Sequence, residues 1–228
     1  MLVQHMRHGA RLAVLLACAA LTTPTKPARA QDSWTFEGFL GAAYNFDSPL
    51  TVRQRNFPAL ELDARYDTRA FEPPLYYALR VSHWSQDRGW DVELIHHKLY
   101  LRDPPPEIEA FAVSHGNNLL LAGRVWSRSA LISRIGIGAA IAHPENTVRG
   151  RTLSEERGFL GTGYYLAGPA VTASIGAELP TRTRWFLSVG LKGSYSWARV
   201  PVADGRADVQ NVAIHGLIGG GYRSSAGR

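Results

Sequence analysis

Residues 185–197 read Trp-Phe-Leu-Ser-Val-Gly-Leu-Lys-Gly-Ser-Tyr-Ser-Trp. Trp185, Leu187, Val189, Leu191, Tyr195 and Trp197 alternate with Ser188, Gly190, Lys192, Ser194 and Ser196, the period-two signature of a strand with two unlike faces. The polar face is rich in Gly and Ser, which suits the crowded interior of a narrow closed barrel. The apolar face begins and ends in aromatic residues, as membrane-interface girdles do.

Working outward, the same pattern recurs. Tyr165, Ala167, Pro169, Val171, Ala173, Ile175 and Leu179 oppose Gly168, Thr172, Ser174, Gly176 and Glu178. Val212, Ile214, Ile218 and Tyr222 oppose Asn211, Ala213 and His215. Near the start, Trp34, Phe36, Leu40, Ala42, Tyr44 and Phe46 share one face, with Phe39 on the other. Helical periodicity is nowhere sustained. A soluble β domain such as a lipocalin-like barrel is the alternative, but it would bury its large apolar side chains in a shared core. A bilayer forbids open sheet edges, so strands within it must close on themselves.

The strands predicted are 33–46, 74–84, 90–101, 117–126, 130–142, 164–179, 184–197 and 208–222. The expected fold is therefore all-β, an eight-stranded antiparallel transmembrane β-barrel with long extracellular loops. Short connectors at Ser85 to Gly89, Ser127 to Ser129 and Pro180 to Thr183 alternate with long ones at 47–73, 102–116, 143–163 and 198–207. That alternation places both termini on the periplasmic side. Phe57 to Tyr66 looks like a further strand; it is assigned to an extracellular extension of the first hairpin, because nine would break the even count.

Residues 1–30 read as a secretory signal peptide. Arg7 and Arg11 precede an apolar run from Leu12 to Leu21, and the segment closes on Ala28-Arg29-Ala30. The alternative is lipoprotein processing at Cys18. The barrel is expected over 31–228, in the outer membrane. The leader holds Arg7, Arg11, Lys26 and Arg29, so the other Lys and Arg of the total of 25 nearly balance the 19 Asp and Glu. A nucleic-acid partner is therefore not supported. The single Cys lies in the leader, which excludes a disulfide scaffold.

On the inferred lumen face lie Glu37, Arg80, Asp91, Glu93, His97, Arg124, Arg134, Glu178, Lys192 and His215. An eight-stranded interior is too narrow for a channel, so these must pair with one another or with trapped water. Connectivity brings several polar groups to the outer rim: His96 and His97 from strand three, Ser114 to Asn118 from strand four, His143 from strand five, and Lys192 and Ser194 from strand seven. Histidine near neutral pKa transfers protons or binds a metal. Glu93 and His97 are about 13 Å apart along one strand, too far to share an ion unaided. His97 with His115, Asn118 or His143 is a more reasonable grouping, with a divalent metal as its cofactor. Lys98, Arg102, Arg149, Arg151 and Arg157 suit anionic lipid phosphates.

Six segments taken in order are 73–80 (PPLYYALR), 89–100 (GWDVELIHHKLY), 114–120 (SHGNNLL), 135–144 (IGIGAAIAHP), 165–171 (YLAGPAV) and 191–196 (LKGSYS). Together they resemble the outer-membrane barrels that include lipid A oxidase. The resemblance covers residues 70–222. It implies an eight-stranded outer-membrane barrel and an oxygen-dependent conversion of the proximal glucosamine of lipid A to an aminogluconate unit. It supplies no set of catalytic residues.

From geometry, the candidate catalytic residues are His97, His115, Glu93 and Lys192, with Lys192 orienting an anionic substrate. The candidate metal ligands are His97, His115 and His143. The expected partners are outer-membrane lipid and lipopolysaccharide, around a monomeric barrel. A noncatalytic structural or ligand-binding barrel is the competing expectation. A deacylase would need a Ser beside a His, and Ser114 and His115 are strand neighbours that point to opposite faces.

Overall fold

A computed structural model describes residues 32–154 and 158–225, with Ser114, His115 and Ser225 described as backbone only. The expected signal peptide and Arg157 lie outside the described residues. The strands are β1 (Asp32–Phe46), β2 (Ser48–Gln54), β3 (Leu60–Ala64), β4 (Tyr66–Asp67), β5 (Tyr77–Ser85), β6 (Arg88–His96), β7 (Leu99–Leu101), β8 (Ile108–Arg128), β9 (Leu131–Val148), β10 (Arg151–Thr152), β11 (Tyr165–Pro180), β12 (Trp185–Val202) and β13 (Gly205–Ser225). Eight of them form a closed antiparallel ring in the order β1, β5, β6, β8, β9, β11, β12, β13, and β13 pairs back onto β1.

At one end the hairpins turn tightly. Ser85 pairs with Arg88 and Arg128 with Leu131. Each two-residue turn holds one residue in the left-handed region, Gln86 at φ 57 and Ser129 at φ 56. At the other end the connectors are long, and much of their length is strand. β12 and β13 run on until Val202 meets Gly205, so the loop expected over 198–207 is a hairpin closed by Ala203 and Asp204. β8 and β9 likewise continue to the Ile108–Val148 rung. β2 carries the first barrel strand onward along β13, and β3 pairs with β2 alone. The 57–66 segment is thus an extension of the first hairpin, and the ring keeps eight strands.

The inward face changes character along this length. On β12 it runs Ser188, Lys192, Ser194, Ser196 and then Ala198, Val200, Val202, all buried. The outward face changes in the opposite sense, from Leu187, Val189, Leu191, Tyr195 and Trp197 to Arg199. The lower barrel is therefore polar inside and greasy outside. The extension has a conventional core that includes Leu50, Val52, Ile108, Val148, Val200 and Val209. A water-solvated sheet has no reason to invert its faces midway; a sheet that leaves a bilayer does. From Trp185 to Trp197, at about 3.3 Å per residue and about 40° of tilt, the greasy band is about 30 Å tall, the height of a hydrocarbon core with its girdles.

Candidate functional site

Two polar layers fill the lower barrel. The inner one is ionic. Arg80 donates to Glu93 at 2.7 Å and to Glu37 at 3.4 Å. Arg134 reaches Glu37 at 3.5 Å and Asp91 at 3.2 Å. Lys192 donates to Glu93, and Ser188 to Glu37 at 3.0 Å. Arg80, Arg134 and Lys192 thus face Glu37, Asp91 and Glu93, three cations to three anions, all with side chains at most 9% exposed. Phe39, the aromatic on the inward face of β1, lies under the Arg80 guanidinium at 4.7 Å. Glu178 pairs with Arg223 nearer the end of the barrel.

The lumen expectation fails at Arg124. Strand parity is fixed by Val125, buried against Trp84 and Ile132, so Arg124 is exposed on the outer face between the Trp90 and Ile135 rungs. There a long basic side chain can snorkel from the aromatic girdle to water.

The second layer lies above, toward the outer interface. His215 on β13 sits between two hydroxyls, with Nδ1 2.9 Å from the Tyr76 OH and Nε2 2.7 Å from the Ser194 Oγ. The His97 ring stands 5.0 Å from that of His215 at 76°, fully buried. The tautomer of His97 follows from its neighbours. Thr68 donates its hydroxyl to the Ala43 carbonyl at 3.1 Å, so it must accept from His97 Nε2 at 3.3 Å. The proton is then on Nε2, and Nδ1 is a bare lone pair with no partner among the described residues. Asn45 donates to Thr68 at 3.0 Å and to the Tyr66 carbonyl at 3.1 Å, and it accepts from Asn211 at 3.0 Å.

The candidate residues therefore divide. Glu93 and Lys192 come together, but as an ion pair that neutralises both. His97 belongs with His215. His143 packs edge-on against Tyr164 at 4.9 Å, with Nδ1 3.7 Å from Glu145. Gly163, at φ 75, leaves room for that imidazole: a Cβ there would fall 2.4 Å from Nε2. The His115 side chain lies outside the described residues; its backbone occupies the irregular stretch of β8 between the Val113–Pro144 and Asn117–Ala142 rungs, alongside His143. His96 points away from His97, bonded to Asn118 at 2.7 Å and stacked on Tyr77.

Among the described residues no three His, Cys, Asp or Glu are grouped to hold a metal. Of the rim cations, Arg102 pairs with Asp67 and Arg151 with Asp204, while Arg149 lies over Phe57. Lys98 donates to the Glu72 carbonyl, and burial holds its ammonium below the ordinary lysine pKa against the pull of Glu72.

Of the groups that orient the two histidines, Ser194 is placed at the rim by the sequence, whereas Tyr76 and Thr68 escape sequence reasoning. Tyr76 is 139 residues from His215, and only the register brings them together.

No protein-family model matches the chain, and no curated protein does. Among solved structures it is similar to Ail, the attachment invasion locus protein of Yersinia pestis, at 13% identity and TM-score 0.42, over 86% of this chain and 100% of that one. It is similar to the outer membrane protein AlkL in lipid bilayers at 10% identity and TM-score 0.41, over 91% and 97%. Neisserial surface protein A aligns at 8% identity and TM-score 0.33, over 82% and 97%. Likeness at this level leaves function to be read from this chain's own residues.

Proposed function

We propose that this chain is an outer-membrane barrel that modifies lipid A at its outer end, and not a pore. The observation that carries the reading is the His97–His215 pair with Tyr76 and Ser194, held above the ionic layer at the depth of the outer aromatic girdle. Groups that can take and give protons are costly to keep in a buried polar layer, and they cluster where chemistry is done. At that depth the surrounding molecule is the outer-leaflet glycolipid. The resemblance over residues 70–222 supports the oxidase type, with molecular oxygen as the oxidant and the proximal glucosamine as the site of reaction. In this reading His97 and His215 handle protons, while Glu93 and Lys192 hold the floor beneath them.

The competing reading, a noncatalytic envelope barrel, is favoured by the mutual neutralisation of Glu93 and Lys192. Mass spectrometry of lipid A from cells with and without the gene, grown in air, separates the two. The expected result is a mass change that disappears in His97→Ala and His215→Gln variants whose barrels still fold, as judged by heat-modifiable migration. Identical lipid A in every strain would contradict catalysis.

A further inference from the structure

The barrel wall is not sealed to its outer rim. β5 accompanies β1 only to the Leu40–Tyr77 rung. Above it, Gly41 to Phe46 of β1 keep β13 on one side, while on the other the next main chain is β4, whose partner is β7. Among the described residues no main-chain hydrogen bond joins that edge of β1 to β4. An unpaired edge inside a bilayer is costly, so something must compensate it.

Three side chains close the seam. Thr68 donates to the Ala43 carbonyl, Asn45 donates to the Tyr66 carbonyl, and the Tyr76 ring fills the space over Gly41, where a Cβ would come within 3.2 Å of it. The same side chains reach the histidines: Tyr76 holds His215 and Thr68 holds His97. Outside the seam is a groove of about 420 Å³ bordered by Tyr44, Asp47, Arg65, Asp67 and Arg102. Tyr44, two-thirds exposed and edge-on to Phe46, sets its depth at the outer girdle. Behind the seam, two residues it touches carry buried polar atoms with no partner among the described residues: His97, bonded to Thr68 through Nε2, at Nδ1, and Tyr66, whose ring lies in the core, at its OH.

We propose that this seam is a lateral entrance through which the sugar headgroup of an outer-leaflet glycolipid reaches His97 and His215 without leaving the membrane, with Thr68 as its latch. This rests on the lipid A reading of the same site. A hydroxyl-rich headgroup can replace the bonds that Thr68 and Asn45 make and satisfy the two orphaned atoms. Anionic substituents meet Arg65 and Arg102 as these exchange their present partners, Asp47 at 3.0 Å and Asp67 at 3.7 Å. The wall opens by side-chain rotation, and no ladder hydrogen bond is broken.

The test uses the mature chain folded in phosphatidylethanolamine vesicles containing lipid A that carries a photoreactive diazirine on its headgroup. An Ala43→Cys/Thr68→Cys pair closes the seam when oxidised and frees it when reduced. Ala43→Trp blocks it should the disulfide not form. The expected result is crosslinking to residues 41–47 and 65–68 in the reduced and parent proteins, lost on oxidation and in Ala43→Trp. Crosslinks that map elsewhere, or that persist with the seam closed, overturn the entrance. Lipid A mass is read in the same samples. Seam-dependent crosslinking without any mass change would leave the entrance standing and remove the catalytic reading. Conversion that continues through a closed seam would do the reverse.

Discussion

Glu93 shows what a single buried charge does in this barrel. It accepts from Arg80 and Lys192 with almost no water nearby, so its removal leaves a cation unpaired where solvation is poor. Glu93→Gln should destabilise the fold by about 3–5 kcal/mol. Glu93→Gln with Lys192→Met should recover much of that loss, because Arg80 retains Glu37 and the layer is again neutral. Urea unfolding in bilayers, followed by Trp fluorescence, measures the cycle. Additive losses would mean that the pair is not coupled. The lumen position of both residues is legible in the sequence, since alternation assigns the face. Their pairing is not, because the partners are 99 residues apart and meet through register. The Ser194–His215–Tyr76 arrangement is hidden for the same reason, and Arg124 is misassigned because one residue of phase reverses a strand's faces.

β12 carries the evidence for a membrane at the scale of an element. Its greasy outward row ends at Trp197, and its inward row becomes apolar from Ala198. The strands in the bilayer are legible because two unlike solvents force strict alternation. The extension is harder to read: its pattern keeps the period but exchanges the faces, so 198–207 passes for a loop although it is ladder. The inversion predicts how charge is tolerated. Val189→Arg, in the belt, should cost about 2–4 kcal/mol in a bilayer. Thr51→Arg, outward on β2 beyond the inversion and opposite Asp208 and Glu61, should cost under about 0.5 kcal/mol. Equal costs at the two positions would remove the boundary.

Considered whole, the molecule is a barrel whose wall is a closed ladder up to the Leu40–Tyr77 rung, with an ionic floor, a histidine-containing polar layer above it and an apolar cap. The six charges of the floor are paired with one another and at most 9% exposed, so planar-bilayer recordings of the parent protein should show no unitary conductance. Steady conductance would require a lumen other than the one described. The number and order of strands are legible from sequence because closure, even count and alternating connector lengths constrain one another. The seam between β1 and β4 is not, since nothing local marks the rung at which β5 begins.

The central claim is that lipid solvates the belt. Nitroxides on Leu187→Cys, Val189→Cys and Leu191→Cys, in a chain whose single cysteine, Cys18, is replaced by Ser, can be compared with nitroxides on Thr51→Cys and Arg199→Cys in vesicles. The three belt labels should relax with oxygen and ignore a water-soluble nickel chelate, and the two beyond Trp197 should do the opposite. Belt labels that respond to nickel as strongly as the outer pair would contradict the account.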